Sequence, residues 1–278
     1  MTSPNRDSAS QAAPLRAALV DSIEAQCPRG TTPRVTEVFP PPGGGHEKVS
    51  AFTFVVLSDG TVGMAYNLLD GDDQRSAYDA HDWGAYLGWD ALRLANELRA
   101  DEPHRRIAGY AACIALSQAV YRRQLPAGLD TGQDLTELLN PGPGDRVGVV
   151  GYARGMARKL LQRGAAVTVV ERRSIEPPEG VTWGADPALL EPCNKVFITS
   201  STILNDTLDD ILAHCRGAQW RALYGPGAAI LPAALLARGV NALGGLVVTD
   251  GAALIRRQKA GRKWRDAKQE VVVVGENQ

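Results

Sequence analysis

Val147–Arg173 reads VGVVGYARGMARKLLQRGAAVTVVERR. An apolar run leads into Gly151, a helical stretch runs from Gly155 to Gly164, and a second β-branched run, 166–171, ends on Glu171. Strand, glycine turn, helix, strand is the layout of a βαβ unit, and such units join parallel strands. In Rossmann units an acid at the end of the second strand receives ribose hydroxyls. The helix N-terminus beside Gly155 offers free N–H groups and the positive end of the helix dipole to an anion. The turn departs from G-x-G-x-x-G, because Tyr152 and Arg154 put bulk where a pyrophosphate needs bare backbone. Two readings stand. In one, Gly151, Tyr152, Ala153, Arg154, Gly155, Glu171 and Arg172 hold a nucleoside-type ligand, a phosphate or a carboxylate. In the other, the segment is a plain βαβ turn with a solvated charged corner at Glu171-Arg172-Arg173.

Towards the C-terminus the pattern repeats. Apolar runs at 147–151, 166–171, 194–199, 220–224, 245–249 and 271–275 alternate with helical stretches. This predicts an α/β fold, a Rossmann-like, mostly parallel sheet with helices on both faces. Polar residues sit at the expected strand ends, where open sheets of this kind bind ligands. Ser200, Thr202 and Asn205 form one such rim, and Gly225-Pro226 a second, although each also reads as a simple turn or cap. Asp206 and Asp209 have the spacing of a capping pair, ahead of a helix with the buried stripe Leu208, Ile211, Leu212 and Cys215. Asp250 reads as an N-cap.

Towards the N-terminus, Pro141-Gly142-Pro143-Gly144 breaks the chain. The expected organisation is an arm at 1–13, a smaller α+β domain at 14–140 and the Rossmann-like domain at 141–278. Within the smaller domain, AFTFVVLSDGTVGMAYNLL is a hairpin through Asp59-Gly60. Leu15, Leu19 and Ile23 share one helical stripe, and RRIAGYAACIALSQAVYRRQL is a helix with a small-residue face. Tyr66, Asn67 and Asp70, with Tyr78, His81, Asp82, Trp83 and Tyr86, either line a pocket facing the second domain or pack as an aromatic cluster at the junction. Tyr66, Asn67, His81 and Asn205 are the candidate catalytic residues.

Composition narrows the function. Thirty Lys and Arg against 31 Asp and Glu leave a net charge of −1, with no basic field for nucleic acid or a membrane surface. No apolar run approaches bilayer length, and the N-terminus has no apolar signal segment, so a cytoplasmic protein is expected. Cys27, Cys113, Cys193 and Cys215 lack paired spacing and read as reduced, packed thiols. His46, His81, His104 and His214 have no metal-ligand spacing, so no intrinsic metal site is expected; His46 falls on a Pro/Gly loop. Neither a P-loop nor a G-x-S-x-G elbow occurs.

The order of VGMAYN, VGVVGYARG, ITSSTILNDTLDDIL and LYGPGAAILPAALLARGVNALGGLVVTDGAAL resembles the heavy-metal-chelation family of Rossmann-like proteins. The resemblance spans about residues 15–270 and implies a domain similar to the enolase N-terminal domain ahead of the Rossmann-like one. It also implies a ligand site at the inter-domain cleft, mapping to Gly151, Tyr152, Gly155 and Asn205. One helix departs from the family pattern: CIALSQ puts Ile114 where related chains carry Asn. The expected function is binding of a nucleoside-containing cofactor, S-adenosylmethionine ahead of NAD(P), together with a small anionic substrate, as in an S-adenosylmethionine-using transferase or lyase. The alternatives are a non-catalytic binder of a small anionic metabolite or metal chelate, and a scaffold without a ligand. The reading allows a homodimer.

Overall fold

The structure, a computed structural model, describes residues 9–28, 30–41, 51–125, 129–130, 133–173, 175–262 and 265–275. His46 and residues 1–8 lie outside them. Helix α1 (Ala9–Gln26) takes in residues 9–13 of the expected arm and buries Leu15, Leu19 and Ile23 as one stripe. Strands β1 (Val35–Phe39), β2 (Phe52–Leu57) and β3 (Val62–Tyr66) form an antiparallel sheet in that order. The β2–β3 hairpin turns through Gly60 at φ 79°, with Thr61 N donating to Asp59 Oδ1 at 2.9 Å. Helices α2 (Gly71–Ala80), α3 (Ala91–Ala95) and α4 (Pro103–Arg123) complete this unit. The small-residue face of α4 lies directly on β3. A Cβ on Gly63 would fall 1.9 Å from the Ala111 carbonyl oxygen, so only glycine lets the two backbones meet.

The second unit contains β4 (Leu129–Asp130), α5 (Leu135–Leu139), β5 (Arg146–Val150), α6 (Arg154–Gln162), β6 (Ala166–Val170), β7 (Val181–Gly184) and β8 (Lys195–Thr199). It continues with α7 (Leu208–His214), β9 (Trp220–Tyr224), α8 (Ala233–Leu236), β10 (Ala242–Val248), α9 (Gly251–Lys259) and β11 (Lys268–Val274). These strands make one sheet in the order β4-β11-β10-β9-β8-β5-β6-β7. Every pairing from β10 to β7 is parallel, while β11 runs antiparallel to β10 and β4. All six expected apolar runs are strands. The edge strands β4 and β7 were not expected, since neither is an apolar run; both borrow their order from a neighbour. β4 and α5 precede Pro141 and belong to this sheet and its cover.

On one sheet face, Val147, Val149, Val167, Val169 and Phe197 pack with Leu135 and Leu139 of α5 and Leu160 of α6. On the other, Val196, Ile198, Leu223 and Leu243 join residues of α1 and α4 in a single core. The first unit is therefore the cover for the second face of the sheet. Polar side chains of α4 bond to the backbone of the second unit. Tyr110 OH donates to Gly227 O at 2.8 Å, and Tyr121 OH to Ile230 O at 2.6 Å. Ser117 Oγ accepts from Leu231 N at 3.0 Å, and Gln118 Oε1 from Val248 N at 3.0 Å. Ile114 is fully buried among apolar neighbours, and the buried polar contacts of α4 with the second unit come from these other residues. Among the described residues no helix is long and apolar enough to cross a membrane, and all four cysteines are free and buried.

Candidate functional site

The chain runs from β5 outward through β6 to β7, then returns past β5 to lay down β8 on its other side. The strand order thus reverses between β5 and β8. The crevice outside the carboxyl ends of strands at such a point is where open α/β sheets bind ligands. Gly151 ends β5 there with φ 80°. A Cβ on it would lie 2.8 Å from Thr199 Cγ2 at the end of β8, so both the dihedral and the space require glycine.

Glu171 follows β6 and is almost wholly buried. Its Oε2 accepts from Tyr152 N at 2.9 Å and from Arg173 Nη2 at 2.8 Å, and its Oε1 from Arg173 N at 2.9 Å. Burial alone would raise its pKa. The bonds from Arg173 and the Tyr152 N–H outweigh that and hold the carboxyl at about 2. Glu171 is therefore an ionised brace that locks the glycine turn to the end of β6. Tyr224, the last residue of β9, reaches across β8 and donates to Gly151 O at 2.7 Å, and burial pushes its own pKa up. Tyr152 packs edge-on against Trp183 of β7, with ring centroids 5.1 Å apart.

The turn then enters α6. Its N-cap is Ala153, which has no side chain to accept from the first-turn N–H groups. Gly155, in that first turn, faces open space. Arg154 beside it is exposed and has no carboxylate partner among the described residues. Arg172 reaches towards Asp70 of the first unit, 3.8 Å away, with both side chains exposed. The crevice thus presents unmet N–H donors and positive charge.

The neighbouring strand ends are partly self-satisfied. Thr202 Oγ1 donates to Thr199 O at 2.7 Å. Ser200 is buried with its hydroxyl oxygen against Gly225 and Gly227. Gly225, at φ 109°, leads into a single 3-10 turn begun by Pro226. Asn205 Oδ1 accepts from Thr207 Oγ1 at 2.7 Å. The expected capping pair is corrected here: α7 starts at Leu208, and Asp206 caps nothing. Asp206 sits at φ 60° in the left-handed region, its carboxylate between two arginines of the first unit. Asp209 pairs instead with Arg238 at 2.7 Å. The stripe Leu208, Ile211, Leu212 and Cys215 is buried as expected, and Asp250 caps α9 by accepting from Ala253 N.

The first-unit candidates divide. Tyr66 ends β3 and packs edge-on to Phe52, at 5.6 Å. Asn67 is buried and accepts from Thr53 Oγ1 at 2.6 Å; that hydroxyl also meets Tyr78 OH at 2.7 Å, so Asn67 has a structural network of its own. His81, Trp83 and Tyr86 pack on one another and His81 also on His104, an aromatic cluster within the first unit. Gly151, Glu171, Arg172, Thr199, Ser200 and Gly225 meet at the crevice. Sequence reasoning missed Tyr224 as a crossbar and Trp183 as the seat of Tyr152. The one signal for the former is its place directly before Gly225-Pro226-Gly227.

A family model described as "Putative heavy-metal chelation" matches residues 134–275, and a second of the same description matches residues 50–117. Two solved proteins of unknown function from that family share the fold. One, from Pyrococcus horikoshii, is 19% identical, with a TM-score of 0.71 over 94% of this chain and 100% of that one. The other, from Desulfitobacterium hafniense DCB-2, is 20% identical, with a TM-score of 0.69 over 94% of this chain and 98% of that one. No curated protein matches the sequence.

Proposed function

The chain belongs to the heavy-metal-chelation family, and from that premise we propose that it binds a small anionic molecule, or a metal ion already wrapped in one, at the Gly151 crevice. The observation that carries this reading is the α6 N-terminus, which lacks a side-chain cap, opens onto space at Gly155 and stands beside the unpaired Arg154. Unmet N–H donors, the helix dipole and a guanidinium together favour a carboxylate or phosphate. A bare metal ion fits poorly. Among the described residues no group of three or more His, Cys, Asp or Glu is placed to hold one. Burial raises the pKa of all four thiols, away from the thiolate a soft metal needs. In this reading a metal comes with the donors of its own chelator.

A second reading, a nucleoside cofactor of the S-adenosylmethionine type, rests on Glu171 at the end of the strand beside β5. Ribose hydroxyls would there replace the Arg173 bond. Melting temperature separates the readings. The probes are citrate, cobalt–citrate, cobalt alone, S-adenosylmethionine and NAD. A ligand at a hundred times its dissociation constant adds about 2.7 kcal/mol. The expected result is stabilisation by citrate and its cobalt complex, abolished in Arg154→Gln, with cobalt alone inert. Stabilisation by a nucleoside alone, abolished in Glu171→Gln, would establish the second reading in its place. No shift with any probe would leave a scaffold.

A further inference from the structure

We infer that His81 and His104 form an acid-sensitive latch that holds the segment 71–89 against the start of α4. His81 stands at the C-cap of α2 and packs against the rings of Trp83, at 5.0 Å, and Tyr86, at 5.2 Å. Its imidazole packs against that of His104 with centroids 4.6 Å apart and the rings tilted by 43°. His104 is the second residue of α4, where the positive end of the helix dipole disfavours an imidazolium. His81 Nε2 is buried and has no hydrogen-bond partner among the described residues. A proton there gains no acceptor, and protonation of both rings would place two cations against each other.

The surrounding charges do not rescue the protonated form. Asp82 from its own segment and Glu97 from the turn after α3 face His81, Glu97 and Glu102 face His104, and Arg105 at the start of α4 faces both rings. Glu97 and Glu102 are already engaged by Arg105, which repels both imidazolium forms. Burial, first among the causes, lowers the pKa of both histidines from the ordinary value of 6.5. Both rings are therefore neutral in the closed latch. Its contribution is complete above about pH 6.5 and declines as the pH falls through the histidine range.

The consequence reaches the crevice. Helix α2 starts directly after Asp70, the residue facing Arg172 across the two units. Release of segment 71–89 loosens that lip whatever ligand the crevice takes, so the latch stands independently of the function proposed above.

The test compares the full chain with the His81→Phe/His104→Phe double variant, which keeps aromatic bulk without a titrating group. Melting temperatures are taken at about pH 7.5 and about pH 5.5. Wild type should lose about 2–4 °C more than the variant on acidification. Hydrogen exchange in 71–89 should accelerate in acid beyond the chemical effect of pH, in wild type only. If the variant fails to fold, imidazole proton NMR of wild type decides: two titrations below 6.5 support the latch. Equal acid losses in both proteins, or imidazoles titrating at or above 6.5, would overturn it.

Discussion

Glu171 occupies the place where a Rossmann unit keeps its ribose acid, yet its oxygens are taken up by Tyr152 N and by the backbone and side chain of Arg173. Such a carboxylate stabilises the fold while ionised. Its pKa is held at about 2 against an ordinary 4.5, so its contribution is complete above about 4.5 and is lost as the pH falls towards 2. Glu171→Gln keeps the shape and removes the charge. It should cost about 1–3 kcal/mol at neutral pH, since a buried donor loses its charged acceptor. Urea unfolding at neutral pH and at about pH 3 checks this. The gap between wild type and variant should narrow in acid; a constant gap would show that Glu171 stabilises by packing alone. Sequence spacing placed this residue at the strand end. The bonds that occupy it depend on how Arg173 folds back, and strand periodicity carries no information on that.

Among the elements, the loop from β8 to α7 shows how tertiary pairing overrides local pattern. Asp206 and Asp209 have capping spacing, yet Arg16 of α1 and Arg106 of α4 draw the Asp206 carboxylate away from the helix. Arg16 Nε lies 2.8 Å from Oδ1, without hydrogen-bond alignment, and Arg106 Nη1 lies 3.0 Å from Oδ2. Arg16 also donates to Leu98 O and Ala100 O, and Arg106 to Leu204 O. Partners about a hundred or more residues away decide the conformation, and no window of sequence around Asp206 could show them. The left-handed φ of 60° is the strain this arrangement carries. Asp206→Ala leaves two poorly solvated guanidiniums without their anion. A loss of about 3–5 kcal/mol is expected, as for broken buried ion pairs, read as a lower urea midpoint with an unchanged slope. Asp206→Asn tolerates the left-handed backbone but also lacks the charge. A loss near that of alanine would assign the effect to the ion pairs, and a near-wild-type midpoint would assign it to backbone strain.

At the scale of the whole molecule, the parallel sheet was legible because its strands are solid apolar runs at βα spacing, and the hairpin because Asp59-Gly60 suits one turn. The relation between the units was not legible. It depends on which face of α4 meets the sheet, and a helix that is apolar and small on several sides does not declare this. The structure gives α4 two partners. Gly63 of β3 receives its backbone on one side, and Tyr110, Ser117, Gln118 and Tyr121 bond to the second unit on the other. The core beneath joins α1 and α4 to Ile198, Leu223 and Leu243 without a break. Neither unit can expose its share of that core while remaining folded, so the two should unfold together. Calorimetry should show one transition with equal calorimetric and van't Hoff enthalpies. Tyr110→Phe and Tyr121→Phe each remove one bond to a buried carbonyl, costing about 1 kcal/mol. The two residues lie about 16 Å apart along α4, far enough for the losses to add. In a single cooperative molecule the double variant lowers that one transition by the sum. If it splits the transition in two, with only one part moving, the units are independent domains and α4 is a tether between them.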